Sequence, residues 1–180
     1  TVLINGAECE PYCTADNRTM VEDSDHIKSG IEILKRFVGA KEYVIGIEAN
    51  KPEAISHLTE VFKDDPSVIV KTLESVYPQG AKQVLLWNAT GKVVAAGQRL
   101  ASLGVIITNV TTLAKMALYF ETGMPLIEKC VSVDGSAVKE PKNIIVPIGT
   151  SFECCLEACG GVKEEPRKAI EGGPLVGRTV

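Results

Sequence analysis

The sequence predicts an α/β protein in which a parallel sheet is covered by helices in three layers, followed by a small α+β unit. Two observations carry this. Apolar runs of strand type, Val2-Leu3-Ile4, Tyr43 to Ile47, Val68 to Leu73 and Val105 to Thr108, alternate with amphipathic stretches of helical period. That alternation, with helices of about ten to fifteen residues, is the rhythm of parallel βαβ units. After Pro125 the texture changes to alternating strand-type residues broken by turn residues, which marks a second unit.

Taken in order, Val2 to Asn5 is expected as a buried strand and Gly6 to Asn17 as a polar loop. Asp23-Ser24-Asp25 supplies an N-cap for a helix through Phe37, because Ile27, Ile31, Leu34 and Val38 recur at helical spacing before Gly39. A helix follows Tyr43–Ile47 from Pro52, with proline just inside its start, to Lys63. Tyr77-Pro78-Gln79-Gly80 separates the Val68–Leu73 strand from a third helix ending near Trp87. A fourth helix runs from Thr111 to Glu121 and stops at Gly123. Beyond the Met124-Pro125 hinge, Glu128–Val133, the Asp134-Gly135 turn, Asn143–Pro147, a helix from Thr150 and a strand at Lys168–Ile170 read as a compact β-grasp arrangement. The expected division is therefore 1–125, 126–172 and a mobile Gly-rich tail over 173–180.

A chain of 180 residues with 45% hydrophobic and 23% charged residues can bury a full core and is not of disordered composition. The formal net charge of −4 and the lack of a basic run argue against a nucleic-acid partner. The longest uncharged apolar stretch, Ala101 to Leu113, is too short and too polar to span a bilayer. No secretory signal is visible, so the six cysteines are expected to be reduced thiols. In Cys154-Cys155-x-x-x-Cys159 the last two share a helix face and read as buried small hydrophobes, with a redox or metal role the lesser alternative. Cys9 lies between two glutamates, which disfavours a thiolate. His26 and His57 fall on helix faces without a nucleophile at a strand end, so neither a hydrolytic triad nor a zinc site is expected. The expected metal-ligand set is empty.

The candidate chemistry lies where strands end, outside whose carboxyl ends α/β sheets bind ligands. Asn5 and Glu8-x-Glu10 follow the first strand, and Glu48, Asn50 and Lys51 follow the second. Carboxylates and an amide there suit the polar edge of a flavin and the hydroxyls of a nicotinamide ribose. Spacing alone favours the plainer account of Glu8 and Glu10, a solvated acidic loop. Asn109-Val110-Thr111-Thr112 opens the fourth helix, where Asn109 and Thr112 serve either as ordinary caps or towards an anionic phosphate. Lys51 reads chiefly as solvated, and Tyr77–Gly80 equally as a plain turn or as a fourth polar junction.

Together these segments resemble a known family. Ile4-Asn5-Gly6-Ala7-Glu8-Cys9-Glu10-Pro11-Tyr12, Asp16-x-Arg18, Gly46-Ile47-Glu48-x-Asn50-Lys51-Pro52, Tyr77-Pro78-Gln79-Gly80, Asn109-Val110-x-Thr112 and Gly172-Gly173-Pro174 are similar to the C subunit of the Rnf electron-transport complex. The flavin-binding domain of that family is shared with the NADH-oxidising subunit of respiratory complex I. The resemblance implies a Rossmann-like domain binding FMN and NAD(H), with Glu8 and Glu10 as catalytic residues. Asn5, Glu8, Glu10, Glu48, Asn50, Asn109 and Thr112 would bind the cofactors. It also implies a β-grasp soluble-ligand-binding domain and two [4Fe–4S] clusters in the full-length protein, outside this stretch.

The implied partners are the other subunits of a membrane electron-transport complex, with ferredoxin or another redox protein. The implied location is cytoplasmic, peripheral to the inner or plasma membrane. A chain that opens without methionine, on the doorstep of a motif, is expected to be a fragment that is inactive alone. The family's Gly-rich loop is missing, and Ala7 and Asn50 stand where the complex I relative has acidic residues. These departures support a rival reading: a non-catalytic adaptor, or a paralogue such as the electron-transfer protein of proline reductase or a cobalamin reductase.

Overall fold

The computed structural model describes residues 1–163 and 166–180. Contacts divide the chain into two units, one of residues 1–9 and 16–123, the other of 10–15 and 124–180.

In the first unit, β1 (Val2–Asn5), β2 (Tyr43–Glu48), β3 (Val68–Leu73) and β4 (Ile106–Asn109) form one parallel sheet in the order β3-β2-β1-β4. Side chains alternate across it, and both faces are covered. Val2, Ile4, Tyr43, Ile45 and Ile47 pack with residues of α1 (Ala15–Glu22), α2 (Ser24–Phe37), α3 (Pro52–Val61) and α5 (Val110–Thr122). Leu3 and Val44 face the other way, onto Leu85 and Leu86 of α4 (Lys82–Thr90) and Leu100 and Leu103 of a short 3₁₀ turn. Three layers follow from strands that are apolar on both sides. Helices α2 and α5 approach closely because residue 30 is glycine. A Cβ there would stand 2.8 Å from the Leu113 carbonyl oxygen.

Several boundaries differ from expectation. Residues 15–22 are helical, although the segment is mostly polar and only its Met20 is fully buried. A helix so polar leaves little periodic signal. Asp23 occupies the N-cap position of α2 without a capping bond. Its carboxylate is engaged by the His26 ring instead. Strand β4 begins and ends one residue later than expected, and α4 continues to Thr90.

In the second unit, β5 (Glu128–Val133) and β6 (Lys142–Pro147) pair antiparallel, and α6 (Phe152–Ala158) follows. Cys155 and Cys159 are buried and Cys154 is exposed, as helical spacing requires. Residues 170–180, expected partly as a mobile tail, form a second ladder of β7 (Ile170–Glu171) and β8 (Arg178–Thr179). Segment 10–15 belongs to this unit. The Thr14 amide donates to Ser132 Oγ at 3.1 Å, and Asn143 Nδ2 donates to Thr14 Oγ1 at 2.9 Å. No helix among the described residues is long and apolar enough to cross a membrane.

Candidate functional site

The strand order identifies the crevice. From β1 the chain builds outward through β2 to β3, then returns to place β4 on the other side of β1. The carboxyl ends of β1 and β4 thus flank the topological switch point, where open α/β sheets take their ligands. Asn5 ends β1 and Asn109 ends β4, and the two are register partners. Asn5 is also in register with Gly46 of β2.

Each of the two asparagines is held by the protein around it. Asn5 Oδ1 accepts from the Ala7 amide at 3.1 Å, and its Nδ2 donates to the Gly80 carbonyl at 3.1 Å. The Gly80 amide in turn donates to Cys9 Sγ at 2.8 Å, so the Tyr77–Gly80 loop is clipped to the β1 loop. Asn109 caps α5 by accepting from the Thr112 amide at 3.0 Å. Thr112 itself is exposed.

Glu8 and Glu48 are buried carboxylates, not solvated ones. The Glu8 side chain is 2% exposed and lies 3.2 Å from Lys51 Nζ, itself 14% exposed. Its oxygens accept from the amides of Asp16 at 2.7 Å and Asn17 at 3.2 Å, so Glu8 caps the start of α1 from a distance. Glu48 accepts from the Glu8 amide at 3.1 Å. Lys51, expected as a solvated residue, is the cation that makes this pair tolerable. Asn50 is exposed, and its amide donates to Ser75 Oγ at 3.1 Å. Burial pushes the carboxyls of both Glu8 and Glu48 above the ordinary range, with the accepted backbone N–H groups and Lys51 pulling the other way.

That direction carries a pH prediction. A carboxyl raised in the folded state contributes stability that is complete below its ordinary pKa and is lost as pH rises through the raised value. Glu48→Gln keeps an oxygen for the Glu8 amide and removes one of two neighbouring buried charges. The variant is expected to gain on the parent between about pH 4 and neutrality, starting near the ordinary glutamate value. Urea unfolding at both pH values measures it, and an equal difference at the two would remove Glu48 as the titrating group.

The residue that motif reading passed over is Asp16. Its carboxylate accepts from Asn109 Nδ2 at 2.8 Å and from Thr111 Oγ1 at 2.5 Å. Thr111 Oγ1 also lies 2.9 Å from Thr19 Oγ1. The first turn of α1 therefore links the two edges of the switch point, since its amides hold Glu8 from the β1 loop and its Asp16 side chain holds the start of α5. Asn17 Oδ1 in α1 and Gln79 Nε2 in the loop that Asn5 binds are buried without a hydrogen-bond partner.

Glu10, the other expected catalytic carboxylate, belongs to the second unit. Both of its oxygens are engaged there by backbone amides, from Leu175 at 2.9 Å and Val176 at 3.1 Å. The histidines lie on α2 and α3. His26 pairs with Asp23 and Glu121, and His57 Nε2 lies 2.9 Å from Ser24 Oγ. Among the described residues no group of three or more His, Cys, Asp or Glu could hold a metal ion.

Comparison with known proteins agrees with this architecture. Residues 1–118 match the model of the Nuo51 FMN-binding domain, and residues 130–179 match the SLBB domain. Over 97% of its length the chain is 43% identical to the C subunit of the proton-translocating ferredoxin:NAD(+) oxidoreductase complex of Clostridium ljungdahlii, covering 38% of that protein. It is 39% identical, over 99% of its length, to the C subunit of the Na(+)-translocating ferredoxin:NAD(+) oxidoreductase complex of Acetobacterium woodii, covering 40% of it. Against the C subunit of the ion-translocating oxidoreductase complex of Rhodobacter capsulatus the identity is 37%, with 35% of that protein covered. Each match thus spans two fifths or less of the relative. A chain in the crystal structure of H2-reduced NAD+-reducing [NiFe]-hydrogenase superposes with a TM-score of 0.72 at 16% identity. That superposition covers 88% of this chain and 32% of the other, and it establishes a shared fold.

Proposed function

The chain belongs to the Nuo51 FMN-binding domain family, with an SLBB domain after it, and on that premise we propose that it is the flavin- and nicotinamide-binding part of an electron-transfer subunit. The observation that carries the reading is the switch-point crevice between β1 and β4, with Asn5 and Asn109 in register at its two edges. The residues fit FMN. A helix of 13 residues starts directly after its cap Asn109, so its amino end favours a phosphate. Buried polar atoms at Asn17 and Gln79 stand unpartnered beside the loops of the crevice.

FMN, when bound, supplies acceptance of a hydride from NADH and its release as single electrons. The protein's own share is binding and orientation. Asn5, Asn109 and Thr112 line the carboxyl ends of β1 and β4, and Asn50 stands exposed after β2 for the nicotinamide ribose. Glu8 and Glu48 are the buried carboxylates that fix the β1 loop through Lys51 and α1. [4Fe–4S] clusters in the remainder of the full-length protein would exchange these electrons with ferredoxin or another redox partner, in a complex peripheral to the membrane.

One observation favours the rival adaptor reading: Glu8 and Glu10 both direct their oxygens to the protein itself. Reconstitution decides between them. Full-length protein incubated with FMN is expected to retain flavin through gel filtration and to lose its flavin absorbance on titration with NADH. Protein that holds no flavin under these conditions would establish the adaptor.

A further inference from the structure

The segment Gly172-Gly173-Pro174 has no part in the flavin reading, yet it is built around a side chain. Turn 173–177 closes with the Gly177 amide donating to the Gly173 carbonyl at 2.9 Å. Two amides within it, those of Leu175 and Val176, each donate to a separate oxygen of the Glu10 carboxylate. Consecutive backbone N–H groups converging on one anion make a nest, a backbone receptor for a carboxylate. Gly173 is essential to it on two counts. Its φ of 95° lies in the region that L side chains rarely adopt. A Cβ there would also stand 2.3 Å from Glu10 Oε2, in the space the carboxylate occupies.

We propose that turn 173–177 is a carboxylate receptor whose resident ligand is Glu10, and that the pair forms an internal latch. The latch fastens segment 10–15 to the β7–β8 ladder. The Thr14, Ser132 and Asn143 contacts fasten the same segment to the β5–β6 hairpin, so one strap carries both ladders. Glu10 is thereby a positioning residue, and its carboxylate is withdrawn from hydride chemistry.

The latch does not depend on flavin, and its primary test needs none. In the full-length protein, hydrogen exchange at the Leu175 and Val176 amides is expected to accelerate about tenfold or more in Glu10→Ala, which removes both acceptors. Glu10→Gln keeps one acceptor and is expected to fall between Glu10→Ala and the parent. Gly173→Ala leaves Glu10 intact but evicts its carboxylate, so it is expected to reproduce the Glu10→Ala exchange. The double variant is expected to add little to either, because both break one contact.

Turnover with NADH separates a role through the latch from a direct role of the carboxylate at the reacting groups. If the carboxylate acts only through the latch, Glu10→Ala and Gly173→Ala shift kcat and KM alike. A fall in kcat confined to Glu10→Ala and Glu10→Gln would show the carboxylate at the reacting groups and overturn the proposal. Unchanged exchange at Leu175 and Val176 in Glu10→Ala would overturn it as well.

Discussion

Replacing Glu8 with alanine is expected to destabilise the first unit by about 3 kcal/mol, the range for breaking one partner out of a buried ion pair. Three groups lose their acceptor at once: the Asp16 and Asn17 amides and the Lys51 ammonium. The two amides open α1, and losing a cap costs about 1 kcal/mol by itself. Lys51 is left 14% exposed with Glu48 as its remaining carboxylate neighbour, which recovers part of the electrostatic loss. Glu8→Gln retains one acceptor oxygen and is expected to cost about half as much. Urea denaturation of both variants at neutral pH gives the comparison. A cost for Glu8→Ala near that of an ordinary surface substitution, about 0.5 kcal/mol or less, would mean that the carboxylate is not holding the loop.

Glu8 also shows what a linear motif conveys and what it does not. The strand-loop-helix order was legible because each strand is a near-continuous apolar run and each helix start carries a polar residue or proline. Asn5, Glu48 and Asn109 were legible as strand-end residues for the same reason, since the end of an apolar run marks the sheet edge. Burial of Glu8 was not. Its lysine partner lies 43 positions away in number, and the amides that cap it belong to α1, a helix too polar to announce itself.

Glu10 is a different case. Two positions from Glu8, it shares the spacing expected of one face of an extended loop. The chain passes from one unit to the other between Cys9 and Glu10, however, and the partners of Glu10 come 165 and 166 residues later. Proximity in sequence placed the two carboxylates in one site, whereas tertiary contacts assign them to different units. Asp16 was visible only as part of a resemblance, because an acidic residue in the first turn of a helix ordinarily needs no further account.

Asp16→Ala is expected to weaken flavin binding by the full-length protein about tenfold, on the flavin reading proposed above. Two effects oppose each other. The Asp16 carboxylate stands by the amino end of α5, where it competes with a phosphate for the same positive field. Removing it would favour the phosphate, but a partly exposed charge pair screened by solvent is worth about 1 kcal/mol or less. Against this stand two charge-assisted hydrogen bonds, to Asn109 Nδ2 and Thr111 Oγ1, each worth about 1.5–3 kcal/mol. They fix the asparagine amide in the orientation that caps α5 and hold the helix start to α1. Their loss frees the Asn109 side chain and the first turn of α5, and reordering both on binding costs more than the relieved repulsion returns. The balance is a loss of about 1–2 kcal/mol, which is the tenfold figure. Asp16→Asn removes the charge but keeps one acceptor, so its dissociation constant should lie closer to that of the parent. Fluorescence titration of FMN into both variants, at low and high salt, separates the two effects. Tighter binding by Asp16→Ala, most marked at low salt, would show that repulsion outweighs orientation and that Asp16 does not position the site.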